Sequence, residues 1–387
     1  MLINKDIFIE VDCRQIESAR EAAQSNIYFQ KRHDDNIITV LCDGGDSCIE
    51  AHIKASMAAS MAINSQSRDI IDIAKTIVDF VSGDTTIPFS FTIIRIYKNL
   101  RVEIIEYKTP QTIVLYKKKL VNITRNPIPI LNNQGKEVTI NKCEFKADEK
   151  YLIVSFSNGV LESGRGSLRM PEGWSNKQIA LFLQNCINTN ISARFITDKL
   201  IKKALGNELF APKKDISTSA IYIRHPRKVL VCTGPPYNQA DDPKLAQIVN
   251  DYDGDVILSG GTTASIIARE LNREINVVLQ KRNTGVPSKS EIKGISLVTE
   301  GVLTLGKVKE RLMETKDGVF KGTSPDIEII HSLLEHDIIE FVVGMKINTM
   351  HQNPNIPVEL ALRRNVVKDI AHELREKFMK EVTMKFI

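Results

Sequence analysis

The sequence predicts an α+β domain of two sheets covered by helices, followed by an α/β domain with a doubly wound, Rossmann-like sheet. Three observations predict it. Up to residue 224, β-branched runs bounded by polar or turn residues follow one another with only a few amphipathic helices set apart from them. From Lys228 onward strands and helices alternate, the pattern of a parallel sheet with helices on its faces. Between the two patterns stands the short junction His225-Pro226-Arg227. The chain has 387 residues, 42% of them apolar, enough for a core in each domain. The domains are expected over residues 1–224 and 228–387.

In the first domain, strands are expected at Asp6 to Val11, Ile37 to Cys42, Ser90 to Ile96, Val102 to Tyr107, Gln111 to Tyr116, Glu137 to Phe145, Tyr151 to Ser155 and Ser219 to Arg224. Helices fit Glu50 to Ile63, Asp69 to Val81, Ser175 to Asn188 and Ala193 to Leu205. In the second, the strands KVLVC, VILS, INVVLQ, ISLV and IEFVV alternate with helices near Pro243 to Val249, Thr263 to Leu271, Val302 to Leu312, Asp326 to Leu334 and Pro357 to Lys380. No internal repeat or low-complexity tract interrupts either pattern.

Composition excludes several classes of function. No stretch approaches the roughly 20 apolar residues of a membrane span, and MLINKDIFIEVDC lacks the layout of a signal peptide, so a cytoplasmic protein is expected. The six cysteines lack paired metal-type spacing and read as buried thiols. Net charge is only +5, and the basic cluster Tyr116 to Lys119 reads as a solvated hairpin tip, so nucleic-acid binding is not expected. Trp174, the only tryptophan, reads as a packing anchor. His331 and His336, without a carboxylate spaced to make a site, read as core or surface histidines.

The stretch VLCDGGDSCIEAH places Asp43-Gly44 where a strand hands over to a helix. Alone, that pair is an ordinary turn signal. With "IEYKTPQTIVLY", "NPIPI", "LIVSFSNGVLESG" and "PKKDISTSAIYIR" following in order, residues 6 to 224 resemble the SpoIIE-like branch of the metal-dependent PPM-type serine/threonine protein phosphatases. The whole chain, with TGPP, GGTTA, TEG and HQNP in its second part, is similar to the two-domain bacterial form usually described as SpoIIE family phosphatases. The resemblance implies an αββα sandwich, a signalling role, and hydrolysis assisted by two manganese or magnesium ions held on carboxylates from four motifs.

Carried over residue by residue, the resemblance matches the Asp of the DG motif to Asp43 and its metal-facing glycine to Gly44. The rest of that loop departs from the pattern, with Asp46 and Cys48 where further glycines are usual. The GD motif falls on Ser25-Asn26, the SDG motif on Ser157-Asn158-Gly159, and the terminal DDxT motif on Lys214-Asp215-Ile216-Ser217. The acids implied at Asn26 and Asn158 are therefore amides, and the one implied at Lys214 is a cation. Asn158-Gly159 also reads as an ordinary β-turn pair.

An ammonium about 4 Å from a divalent cation is unfavourable by about 8 kcal/mol at an effective dielectric near 20, so a second metal is not expected. Lys214 is expected instead as a surrogate cation against Asp43, or else as a solvated loop charge. Asp46 or Asp215 could complete a single weak magnesium site. The cofactor expectation is accordingly none, or a weakly bound manganese or magnesium ion.

In the second domain, three strand-to-helix junctions carry residues suited to anions: Thr233-Gly234, Gly260-Gly261-Thr262-Thr263 and Thr299-Glu300-Gly301. A doubly wound sheet gathers such strand ends on one edge. Asn348, His351 and Gln352 could add donors from a fourth. GGTT is neither a Walker nor a dinucleotide fingerprint, and a helix cap with tight glycine turns explains it equally well.

The expected function is that of a pseudophosphatase that binds a regulatory partner or phosphoprotein. One alternative is an active phosphoserine/threonine phosphatase with a divergent metal site. Another is binding of a small anionic ligand by the second domain, or catalysis there through Glu300 or His351. The sequence leaves the oligomeric state open.

Overall fold

The computed structural model describes residues 7–19, 23–45, 48–83, 87–188, 191–278, 289–315, 318–346 and 356–387. The chain divides into two compact units, Met1–His225 and Pro226–Ile387.

The strands of the first unit are β1 (Phe8–Ile16), β2 (Asn26–Arg32), β3 (Asn36–Asp43), β4 (Ser90–Tyr97), β5 (Arg101–Tyr107), β6 (Ile113–Tyr116), β7 (Lys119–Leu120), β8 (Asn126–Leu131), β9 (Glu137–Lys146), β10 (Tyr151–Phe156) and β11 (Ile216–Arg224). They form two antiparallel sheets, in the orders β1-β11-β10-β6-β7 and β2-β3-β4-β5-β9-β8. The helices are α1 (Ile49–Asn64), α2 (Ile70–Val81), the single turn α3 (Asn158–Leu161), α4 (Asn176–Cys186) and α5 (Ala193–Asn207).

Side-chain periodicity explains the layering. On α2, Ile70, Ile73, Ala74, Ile77, Val78 and Val81 share one buried face, and Asp69 caps the helix by accepting the Ile71 N–H at 2.9 Å. That face packs with α1 on Val40 and Cys42 of β3, Ile93 of β4 and Ile105 of β5. On the other sheet, α4 and α5 bury Leu183, Ile196 and Leu200 against Leu152 and Val154 of β10 and Ala220 of β11. The alternate strand residues, such as Ile37, Leu41, Ile94, Ile104, Ile153 and Ile221, are buried as well, so each sheet has a second covered face. Arg32 of β2 lies 5.1 Å from the ring centroid of Phe8 on β1, a contact from one sheet to the other. The unit is thus an α+β sandwich with the αββα layering that the resemblance implied.

Smaller expectations are settled in the same terms. Trp174 is buried in the α4–α5 core, with its ring edge-on to Phe182 at 5.4 Å. Lys117 and Lys118 form the tip of the β6–β7 hairpin. All six cysteines are free; Cys42, Cys143 and Cys232 are buried as expected, whereas Cys13, Cys48 and Cys186 are only partly buried. Asn158-Gly159 is not a β-turn pair: it opens α3, with the Glu162 N–H closing on the Asn158 carbonyl at 2.9 Å. No helix among the described residues is long and apolar enough to cross a membrane.

In the second unit the strands are β12 (Lys228–Thr233), β13 (Asp255–Ser259), β14 (Ile275–Val278), β15 (Lys289–Ile292), β16 (Leu297–Thr299), β17 (Ile338–Val343) and β18 (Glu381–Phe386). Its helices are α6 (Asp242–Asn250), α7 (Gly261–Glu270), α8 (Val302–Glu314), α9 (Pro325–Glu335) and α10 (Ile356–Glu376). The sheet order is β14-β15-β16-β13-β12-β17-β18, parallel from β16 to β18. The antiparallel strands β14 and β15 continue it at one edge, which the expectation of a parallel sheet lacked. On β12, Val229 and Val231 pack with α8, α9 and α10, whereas Leu230 and Cys232 pack with α6 and α7. Helices therefore cover both faces, as a doubly wound sheet requires.

Candidate functional site

At one end of the sandwich, backbone pairing brings the motif positions together. Asn26, the first residue of β2, is the register partner of Asp43, the last of β3, and Asp43 in turn pairs with Ser90, the first of β4. Asn158 follows β10, and Asp215 precedes β11. Gly45 turns the chain with φ 78, and a Cβ there would lie 2.8 Å from the Pro88 Cβ, so this corner requires glycine. Gly44 donates its N–H to the Ser25 carbonyl at 3.2 Å. Cys48 caps α1.

The Asp43 carboxylate is buried and engaged by protein donors. Oδ1 accepts the Gly45 N–H at 2.9 Å, and Oδ2 accepts the backbone N–H of Asn158 at 3.1 Å and its side-chain amide at 3.3 Å. Hydrogen bonds to a charged group are worth about 1.5–3 kcal/mol each. Burial nevertheless pushes the Asp43 carboxyl above the usual carboxylate range, opposed by the Gly45 and Asn158 donors and by the more distant charge of Lys214.

Lys214 does not take the place expected of it. Its Nζ lies 3.0 Å from Oε2 of Glu162, and with a side chain 49% exposed it is neither buried nor paired with Asp43. Asp215 is also committed elsewhere: Oδ1 accepts the Ser18 N–H at 2.8 Å, and Oδ2 accepts the Ser25 N–H at 2.6 Å and the Ser25 hydroxyl at 3.1 Å. These bonds pin the segment around Ser25 to the start of β11, a structural use for an acid proposed as a substitute metal ligand. Asp46 lies outside the described residues.

These residues do not fit a two-metal centre. Asn26 donates its amide to the Asp215 carbonyl at 3.2 Å, and Asn158 points N–H groups at both Asp43 and the Ser90 hydroxyl. The Asn26 Oδ1 is buried without a partner among the described residues, a feature of the kind a cation uses. One neutral oxygen beside one engaged carboxylate is too little negative charge for two divalent ions. Among the described residues, no group of three His, Cys, Asp or Glu side chains could hold a metal.

Next to this corner lies a cleft of about 200 Å³ lined by Gly159, Glu162, Arg165, Glu208, Lys213, Lys214 and Ile216. Three cations and two carboxylates share it. Glu162, which orders Lys214, was not singled out from the sequence, because the two stand 52 residues apart. Ser18 was missed for the same reason, and so was the bonding of Ser25 to Asp215.

The candidate residues of the second unit lie at the C-terminal ends of its parallel strands. Gly260 caps α7 with φ 129, and Gly261 and Thr262 are exposed in the first turn. Thr263 is fully buried. Thr299 ends β16 and donates its hydroxyl to the Glu300 carbonyl at 3.1 Å, and Glu300 is exposed. Gly234 and Gly344 close against each other at the ends of β12 and β17, with the Gly344 N–H on the Thr233 carbonyl at 2.8 Å. Asn348, His351 and Gln352 lie outside the described residues, so neither their part as donors nor catalysis through His351 is placed.

No protein-family model matches the chain, and no curated protein matches it. Among solved structures it is similar to the phosphatase domain of SpoIIE from Bacillus subtilis, at 14% identity and a TM-score of 0.43, over 57% of this chain and 94% of that one. It is similar to RsbX in complex with magnesium at 14% identity and a TM-score of 0.42, over 57% and 96%. A third is the PP2C domain of SiaA from Pseudomonas aeruginosa, at 9% identity and a TM-score of 0.43, over 57% and 87%. With TM-scores below 0.5, these likenesses add nothing to what the residues around Asp43 show by themselves.

Proposed function

We propose that the first unit is a phosphatase-like binding module, one that holds a regulatory partner or phosphoprotein at the Asp43 corner without metal-dependent hydrolysis. The observation that carries this reading is the pair of N–H bonds from Asn158 to Asp43. An amide there satisfies by hydrogen bonding a carboxylate that a metal would otherwise hold, and it keeps the corner folded without an ion. The adjoining cleft offers Arg165, Lys213 and Lys214 to a phosphorylated side chain, at the expense of opening the Lys214–Glu162 pair.

The test is hydrolysis of a panel of phosphoserine and phosphothreonine peptides by the full chain with manganese or magnesium, alongside direct binding of the same peptides. Binding without turnover is the expected result. Metal-dependent turnover abolished by Asp43→Asn would overturn it.

A second reading, a working phosphatase with a divergent site, is favoured by the Asn26 Oδ1, which has no partner among the described residues and lies in register beside Asp43. The same assay separates the two.

A further inference from the structure

Three hydroxyl residues stand side by side where the parallel strands of the second unit end. Ser259 of β13 is the register partner of Thr233 on β12 and of Thr299 on β16. All three are buried. Two hydroxyls are in use, since Ser259 Oγ donates toward the carbonyls of Glu300 and Gly301 at 3.2 and 3.4 Å, and Thr299 Oγ1 bonds the Glu300 carbonyl. The Thr233 hydroxyl has no hydrogen-bond partner among the described residues.

Two helices begin at this edge, and both begin on glycine. Gly260 caps α7, Gly301 caps α8, and neither helix has a side-chain cap. The two caps lie against each other: the Gly260 N–H donates to the Thr299 carbonyl at 2.9 Å, and a Cβ on Gly301 would sit 3.6 Å from the Gly260 Cα. The first-turn N–H groups of α7 and α8, apart from that of Thr304, which donates to the Gly301 carbonyl at 3.1 Å, are thereby brought close together with both helix dipoles positive toward the same place.

Thr263 supplies the independent sign of a ligand. It is 0% exposed, its Oγ1 has no partner among the described residues, and that oxygen lies 3.4 Å from the point a Cβ on Gly260 would occupy. Buried hydroxyls are ordinarily satisfied, whereas Thr233 at the end of β12 and Thr263 in the first turn of α7 both lack a partner among the described residues, an opening that a ligand could fill.

We propose that this edge binds the phosphoryl group of a small phosphorylated molecule, through the first-turn N–H groups of α7 and α8 with the Thr263 hydroxyl as a further donor. A tetrahedral dianion has enough oxygens to meet donors from two helices, whereas a planar carboxylate meets one set. Glu300 adds a negative charge to the same loop, which disfavours polyphosphates and favours a ligand whose remaining surface is neutral or hydroxylated. The site belongs to the second unit alone and is independent of the reading given to Asp43.

The experiment is calorimetric titration of the full chain with inorganic phosphate and, separately, succinate, at constant ionic strength. Saturable phosphate binding is expected, with succinate weaker. Thr263→Val keeps the side-chain shape and removes the hydroxyl, so it should weaken phosphate binding by about tenfold, the loss of one hydrogen bond to a charged group. It should leave the melting temperature of the free protein unchanged or raised. Gly261→Val is a second probe, since a Cβ at Gly261 meets nothing within 4 Å and would crowd only the approach to the helix. It should also weaken binding without loss of fold. Absence of saturable phosphate binding, unaltered affinity in both folded variants, or preference for succinate would each overturn the assignment.

Discussion

The Lys214 ammonium lies 3.0 Å from Oε2 and 3.2 Å from Oε1 of Glu162. The cation that stands where a metal-binding acid is implied is therefore neutralised by a carboxylate of its own, on the α3 side of the cleft. Asp43 is left to be satisfied by N–H groups, and Lys214 reaches it only as a more distant charge.

Lys214→Ala should consequently have a small effect. The pair is half exposed, and surface ion pairs contribute about 0–1 kcal/mol. Urea denaturation should place the variant within about 1 kcal/mol of the native chain. A loss beyond about 3 kcal/mol, the range for breaking a buried pair, would show that Lys214 acts on Asp43 after all.

Asp43 should leave a signature in the pH dependence of stability. Burial raises its folded-state pKa above the unfolded value, so over the interval between the two the folded chain holds a proton the unfolded chain has lost. Its contribution to stability is full below the unfolded value, about 3.9, and is lost as pH rises through the folded one. Unfolding free energies of the native chain and Asp43→Asn, compared from acid to neutral pH, should diverge accordingly, with the native chain losing ground as pH rises. A difference independent of pH would mean that the N–H donors fully offset burial.

Gly159→Ala tests how tightly the Asn158 turn is built into the corner. A Cβ at Gly159 would lie 2.1 Å from the backbone carbonyl oxygen of Asp215, and backbone cannot swing aside as a flexible side chain can. Asp215 is itself fixed by Ser18 and Ser25. The substitution should destabilise by about 3 kcal/mol, the upper part of the overpacking range, and displace Asn158 from Asp43. A melting curve like that of the native chain would show that the turn can yield.

Much of the architecture was legible because it follows from periodicity: α2 shows one apolar face, and the strands of the second unit alternate with helices. Several of the strands that were not legible, β2, β8 and β18, lie at sheet edges, whereas β15 is internal, between β14 and β16, and its stretch KSEI has no apolar run to mark it. β2 has the mixed burial of an edge, in a stretch, NIYFQKR, that ends in charge. β8 carries Pro127 and Pro129, residues that argue against a central strand but are tolerated at an edge, where β8 lies. β18 follows α10 after a turn in which Met379 has φ 53, a reversal that no glycine announces. At the site, the amides at Asn26 and Asn158, where the resemblance implies acids, could be read in order along the chain, but not the partners of their neighbours. The Lys214–Glu162 pair and the Asp215–Ser25 bonds join segments far apart in sequence, and no local pattern encodes them. Ser259 had a visible signal, the same strand-end position as Thr233 and Thr299, which only the register made meaningful.

Placing carboxylates at the corner is the most demanding test of its misfit to metal. Asn26→Asp, Asn158→Asp and Lys214→Asp together make the site four charge units more negative, one unit each at the two amides and two at the lysine. Asn158→Asp places an acid where an amide now lies 3.3 Å from Oδ2 of Asp43, so without metal the two carboxylates repel and one must take up a proton. The triple variant should therefore be less stable than the native chain at neutral pH in the presence of a chelator. Manganese should restore part of that loss, since an ion that binds only the folded state stabilises it by RT ln(1 + [L]/Kd), about 2.7 kcal/mol at a hundredfold excess over Kd. Removing Lys214 also frees Glu162, which gives a control: Lys214→Asp alone should gain no manganese affinity, because Asn158 still directs its N–H groups at Asp43. Calorimetry with manganese on the native chain, the single variant and the triple variant measures all three. Tight manganese binding by the native chain would show that Asp43 exchanges its N–H donors for metal more readily than their geometry indicates.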